Sequence, residues 1–278
     1  MIRYRHWHIL YVCNWQNLLQ KNISENRNDT RAMNGAERYP EIDLVRGIAL
    51  VLMVLFHTLF DLNFFNIFTI NLYTGFWRFF AYSATSIFLL LVGVSLTISR
   101  ARAARYLDPV SLARKFILRG AGLFCLGILV TIATWWYLRE GFVIFGILQL
   151  IGISVMCSPL FFRFKKTNAL LGLIFIAIGW IFATITGPIW LLAFGIHPPT
   201  FWSVDYTPIF PWFGVVLLGM ALGEVLYPLG KRCFALPRLP TVAIAPLTFM
   251  GRHSLVIYLV HQPLILAVLY VITGAPIL

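Results

Sequence analysis

Runs of some twenty apolar residues recur along this chain, and few environments accept a run of that length. The stretch Ile42–Asp61, IDLVRGIALVLMVLFHTLFD, shows the pattern with chemistry added. Ten residues without a charge or a strong hydrogen-bonding side chain separate Arg46 from His57, which is too hydrophobic for a helix face in water. Comparable segments follow at Phe76–Ser99, from about Phe116 to Tyr137, at Phe142–Phe162, Ala169–Thr186, Ile209–Leu226 and Thr248–Thr273. With 60% hydrophobic and 12% charged residues, an ordinary soluble domain is excluded. The fold class is all-α: a polytopic membrane bundle of about seven transmembrane helices.

The net charge of +12 would suggest nucleic acid in a soluble domain. Here the cations sit in short loops, where they act as topology signals. Arg100, Arg102, Arg105, Arg114, Lys115 and Arg119 follow the second span, Arg163, Lys165 and Lys166 the fourth, and Lys231, Arg232 and Arg238 the sixth. The alternate loops are nearly free of them, so the amino terminus is expected in the cytoplasm and the protein in the cell membrane. No nucleic-acid partner is expected. Cys13, Cys125, Cys157 and Cys233 show no metal or redox spacing. Residues 1–38 read as a basic, poorly ordered segment in which Met33 is the expected true start, and 39–278 as the transmembrane domain. His6 and His8 have no further ligands near them in the sequence, and no metal is expected.

The first span carries four ionisable residues. At about 100° per residue, with Arg46 as zero, His57 falls near 20° and Asp43 and Asp61 near 60°. A single polar seam facing the bundle interior avoids the cost of polar groups scattered toward lipid, roughly 2.5 to 3.5 kcal/mol each at the bilayer centre. Asp43 and Arg46 could instead anchor the helix at the interface. The last span, GRHSLVIYLVHQP, carries a second seam: Ser254, Tyr258 and His261 within an arc of about 60°, with Gln262 beside them. Both helices are expected to run in the same direction, and both histidines to lie near the bilayer midplane. Either they share a pocket, or Tyr258 and His261 simply hydrogen-bond between helices.

Other candidates lie elsewhere in the chain. Gln149, in FGILQLIG, lines the pocket or bridges helices. Asp205, Tyr206 and Trp212 could grip a sugar or an amine, or belong to a Pro-rich interfacial loop. Arg46, Arg114, Lys115, Arg119 and Arg252 form an inner basic rim able to hold phosphates, although the charge rule alone would also put cations there. Gly219 and Gly223 suit close helix packing.

The succession DLVRGIALVLMVLFH (Asp43–His57), FGILQLIG (Phe145–Gly152) and GRHSLVIYLVH (Gly251–His261) resembles the catalytic-domain family of heparan-α-glucosaminide N-acetyltransferase, in particular its short prokaryotic members. The resemblance spans roughly Glu41–Pro263. It implies a membrane acyltransferase that takes acetyl-CoA from the cytoplasmic side and passes the acetyl group to an acceptor, commonly a sugar amine or hydroxyl, on the other face. Unlike the eukaryotic members, this chain has no histidine between its first two spans and carries His57 within the first helix.

On that reading His57, oriented or electrostatically supported by Asp61, is the catalytic general base, and His261 is its partner base or an oxyanion donor. Arg46, Arg119, Arg252 and Ser254 bind acyl-CoA, while Asp205, Tyr206, Trp212, Gln149, Tyr258 and Gln262 bind the acceptor. No metal is needed, and besides the lipid bilayer a homodimer is an allowed partner. A transporter or exporter that binds its substrate at the same midplane seams is the alternative, although no internal repeat supports it.

Overall fold

In a computed structural model of the protein, residues 38–72, 74–236 and 241–274 are described. The expected amino-terminal segment, with Met33, His6, His8 and Cys13, lies outside them, apart from Arg38. Helices dominate, and among the described residues no β-strand forms; two isolated bridges, Phe145 to Tyr206 and Thr186 to His197, tie loops together. The helices are α1 (Pro40–Phe64), α2 (Gly75–Ala103), α3 (Pro109–Leu138), α4 (Ile147–Phe161), α5 (Asn168–Phe182), α6 (Ile209–Leu226), α7 (Thr241–Arg252) and α8 (Ser254–Thr273).

Local chemistry sets several of these limits. Asp108 caps α3, accepting from the Val110 and Ser111 amides, and Pro109 opens the helix. α3 therefore starts before the expected Phe116. α5 ends at Phe182, short of the expected Thr186: Thr184 turns its hydroxyl onto the Ile181 carbonyl, and the Thr186 to His197 bridge draws the chain away. The expected seventh span, Thr248–Thr273, is interrupted at His253, whose φ of −104° and ψ of 23° separate α7 from α8.

Among the described residues, six helices are long and apolar enough to cross a membrane when Ile147–Phe182 is taken as one stretch. That stretch contains the fourth and fifth expected spans. It breaks at Phe162–Thr167, where Lys165 adopts φ 48°, into two helices of 15 residues, each about 22 Å long. The packing gives their directions. α3 and α4 are antiparallel, with Gly120 against Gly152 and Met156 and Gly127 against Gln149. α2 and α6 are parallel: Tyr82 meets Trp212, Thr97 donates to the Met220 carbonyl, and Arg100 pairs with Glu224. Gly219 and Gly223 abut Leu90 and Thr97 at this contact, as their spacing predicts. α5 runs against α6, with Gly172 beside Gly214 and Gly179 beside Pro211.

The core lies between α2, α3, α4 and α6 and includes Leu89, Phe116, Leu150, Phe213, Val216 and Leu217. Outward faces carry Leu118, Leu129, Trp180 and Val271 exposed. Water would penalise that surface, whereas lipid solvates it.

Candidate active site

The site depends on how α1 meets α7 and α8. Gly47 lies against the Leu247 backbone and Gly251 against the Asp43 carbonyl, so closely that a methyl group on either glycine would collide with main-chain atoms. Further along, the His57 and His261 rings meet edge to face at a centroid distance of 4.9 Å. α1 and α8 thus run parallel, and the two imidazoles occupy one depth.

Beside them is a cavity of about 470 Å³ lined by α1, α3, α8 and the loop ahead of α6. His57, Asp61, Tyr258, His261, Gln262 and Asp205 all line it. Hydrogen bonds define the imidazoles. His57 Nδ1 lies 2.9 Å from the Met53 carbonyl and His261 Nδ1 2.6 Å from the Tyr258 carbonyl. A carbonyl only accepts, so each Nδ1 carries the proton and, in the neutral ring, each Nε2 keeps a lone pair. His261 Nε2 and Gln262 Oε1 are buried without a partner. Asp61 is buried, and both its oxygens accept from Gln262 Nε2, at 2.9 and 2.8 Å. The support expected from Asp61 to His57 is not what forms: His57 is oriented by its own helix, and Asp61 is held by α8. The wall is one of acceptors, suited to a ligand that brings N–H or O–H donors.

A second cavity, of about 380 Å³, is lined by Arg46, Arg119, Arg252 and Ser254, the four residues expected at the acyl-CoA end. Arg46 donates to Ser95 Oγ at 2.8 Å. Asp43 lies between Arg46 and Arg252, 3.4 Å from each, so it ties the two arginines together. Three guanidiniums against one carboxylate leave the chamber electropositive, and their planar donors match phosphate oxygens. Arg114 and Lys115 do not line it. Tyr258 lines both cavities.

Three expected acceptor residues are not brought to either cavity. Gln149 bridges α3 and α4, donating to the Gly127 carbonyl and Thr131 Oγ1 and accepting from the Gly146 amide. Tyr206 donates to the Leu192 carbonyl, and Trp212 packs edge-on to Tyr82. Asp205 combines two tasks: it faces the first cavity and caps α4 by accepting from the Ile147 amide, while Thr207 donates to its other oxygen. Burial pushes its carboxyl above the ordinary range. The sequence reading missed Ser95, a lone hydroxyl in VGVSL that lines the second cavity, and Tyr137, at the end of the third expected span, which lines the first.

Lipid-facing helices around a buried acceptor wall, next to a basic chamber, define a polytopic membrane protein with a polar ligand site in its interior. Residues 38–263 match the family described as heparan-alpha-glucosaminide N-acetyltransferase, catalytic. The chain belongs to that family, and membership implies an acetyltransferase-type enzyme of the membrane. No curated protein and no solved structure matches the chain.

Proposed function

We propose that the protein transfers an acetyl group from acetyl-CoA to an amine or hydroxyl acceptor, with the donor and the acceptor occupying the two cavities. The observation that carries this reading is Tyr258, which lines both the arginine chamber and the histidine chamber. Arg46, Arg119 and Arg252 bind the phosphates of CoA, and Ser254 flanks them. The expected cytoplasmic amino terminus puts this chamber on the side where acetyl-CoA is made, and the histidine chamber toward the other face of the cell membrane.

The acceptor nitrogen or oxygen attacks the thioester carbonyl while a bare imidazole Nε2 takes its proton. The C–S bond breaks as the C–N or C–O bond persists, and the proton passes to the thiolate to give CoA thiol. His261, whose Nε2 is buried and unpartnered, is the primary base. His57 is its partner at the adjoining ring face, and the Asp61–Gln262 pair presents the Gln262 carbonyl to the acceptor.

Purified protein incubated with labelled acetyl-CoA and a panel of amino sugars and simple amines tests this. CoA release that depends on acceptor is expected for the wild type. It should be lost in His261→Ala and reduced in His57→Ala, while acetyl-CoA still raises the melting temperature of both variants. Uptake of an acceptor into vesicles with no dependence on acetyl-CoA would instead make the protein a carrier.

A further inference from the structure

The lining of the histidine cavity is sharply divided. Its reactive polar groups, His57, Asp61, His261 and Gln262, come from α1 and α8 at one pole. Much of the remaining wall is Phe60, Val130, Ala133, Leu138, Val143 and Leu266. Tyr137 on α3 and Tyr258 on α8 add a phenol each, and two further polar groups, Thr134 and Asp205, have bonding taken up within the protein. Thr134 Oγ1 donates to the Val130 and Thr131 carbonyls and accepts from the Val143 amide, while Asp205 holds Ile147 and Thr207.

A free hexosamine seated here would bury several hydroxyls against hydrocarbon, and each one left unpaired costs about tenfold or more in affinity. One amine head on an apolar body fits far better. The two bare acceptors, His261 Nε2 and Gln262 Oε1, match the two N–H donors of a primary amine.

The cavity is not fully enclosed. Phe64 on α1, Ala133 on α3 and Pro263 on α8 line it, and each keeps exposed surface. Pro263 stands near the middle of the 20-residue α8, about 14 Å from its first residue, at the depth of hydrocarbon rather than of either aqueous face. Exposed Leu264 adjoins it.

From the divided lining and this opening at hydrocarbon depth we infer that the acceptor is an amphiphile, a primary amine on an alkyl body, which enters laterally from the bilayer between these helices. The inference rests on the acetyl-transfer reading above and names its acceptor class. Amine nitrogen attacks the thioester, one amine proton moves to His261 Nε2 and on to the CoA thiolate, and the products are the N-acetyl amphiphile and CoA thiol. The alkyl body stays against the apolar wall, and any excess length extends through the opening into lipid.

The test uses the full chain in detergent with labelled acetyl-CoA and n-alkylamines from ethylamine to decylamine, with glucosamine as the polar comparison. The expected result is a kcat/KM that climbs by up to about fourfold per added methylene, then levels without falling as the chain leaves the cavity. Ala133→Trp should shorten the length at which it levels. A flat dependence on chain length, a preference for glucosamine, a decline at long chains, or a profile unmoved by Ala133→Trp would overturn the inference while leaving acetyl transfer standing. Absence of CoA release with every acceptor, together with no thermal protection by acetyl-CoA, would overturn both.

Discussion

The tie between Asp61 and Gln262 joins the first and last long helices at the floor of the histidine cavity, and its strength can be worked out. Asp61 is 3% exposed, and the Gln262 amide straddles its carboxylate at 2.9 and 2.8 Å. Interhelical hydrogen bonds in membranes average about 0.6 kcal/mol and reach about 1.7 kcal/mol, and an ionised partner roughly doubles a bond's strength. The coupling between the two side chains should therefore be about 1.5 kcal/mol, roughly tenfold in an unfolding equilibrium. The assay is a double-mutant cycle of Asp61→Leu, Gln262→Leu and the double variant, followed by detergent-induced unfolding in micelles. Gln262→Leu alone should cost the most, because it strands a buried carboxylate. In the Asp61→Leu background the same substitution should cost about 1.5 kcal/mol less. Additivity to within ~0.4 kcal/mol would refute the reasoning, because it would mean that α1 and α8 are not joined through this pair.

Leucine at Gly47 or Gly251 should force α1 away from α7, since the Cβ meets Leu247 and Asp43 main-chain atoms that cannot give way as a flexible side chain would; loss of folded protein on size-exclusion chromatography checks this. Arg46→Met, Arg119→Met and Arg252→Met should each raise KM for acetyl-CoA several-fold and leave KM for the acceptor unchanged, as measured by initial rates. Gln149→Leu should lower stability by about 1–3 kcal/mol, because it leaves the buried Gly146 amide unpaired, with no selective change in acceptor KM. Burial raises the Asp205 carboxyl above its unfolded value, so the folded state holds that proton more tightly and stability falls as pH rises from the ordinary carboxylate range to the raised one. In Asp205→Asn that part of the pH dependence should vanish from thermal unfolding curves.

Much of the architecture is legible in the sequence because a bilayer imposes strict rules. Apolar runs must be helices long enough to cross it, and their ionisable residues must face inward, so the Arg46–Asp61 and Ser254–Gln262 seams could be assigned to the interior from their spacing alone. Equal rise along two helices read as parallel allows a shared pocket for His57 and His261 as one of two readings, and the rings do meet on one cavity. What spacing could not supply was the identity of each hydrogen-bond partner. Asp61 lies one turn from His57 along α1 and was expected to serve it, but Gln262 on another helix claims it, and the Met53 carbonyl is His57's partner instead. Gln149 has two readings, pocket lining or helix bridge, because intramembrane polarity says that a group needs a partner, not whether that partner is a substrate or a neighbouring backbone; Tyr206 and Trp212 read as ligands because aromatics beside a carboxylate suit a sugar or an amine. The sequence by itself determined the helices, their polar faces and the basic end, since these depend on local period and solvent. Only the tertiary structure decided that Tyr258 lines both chambers and that Asp61 pairs with Gln262, because those facts depend on how distant segments meet.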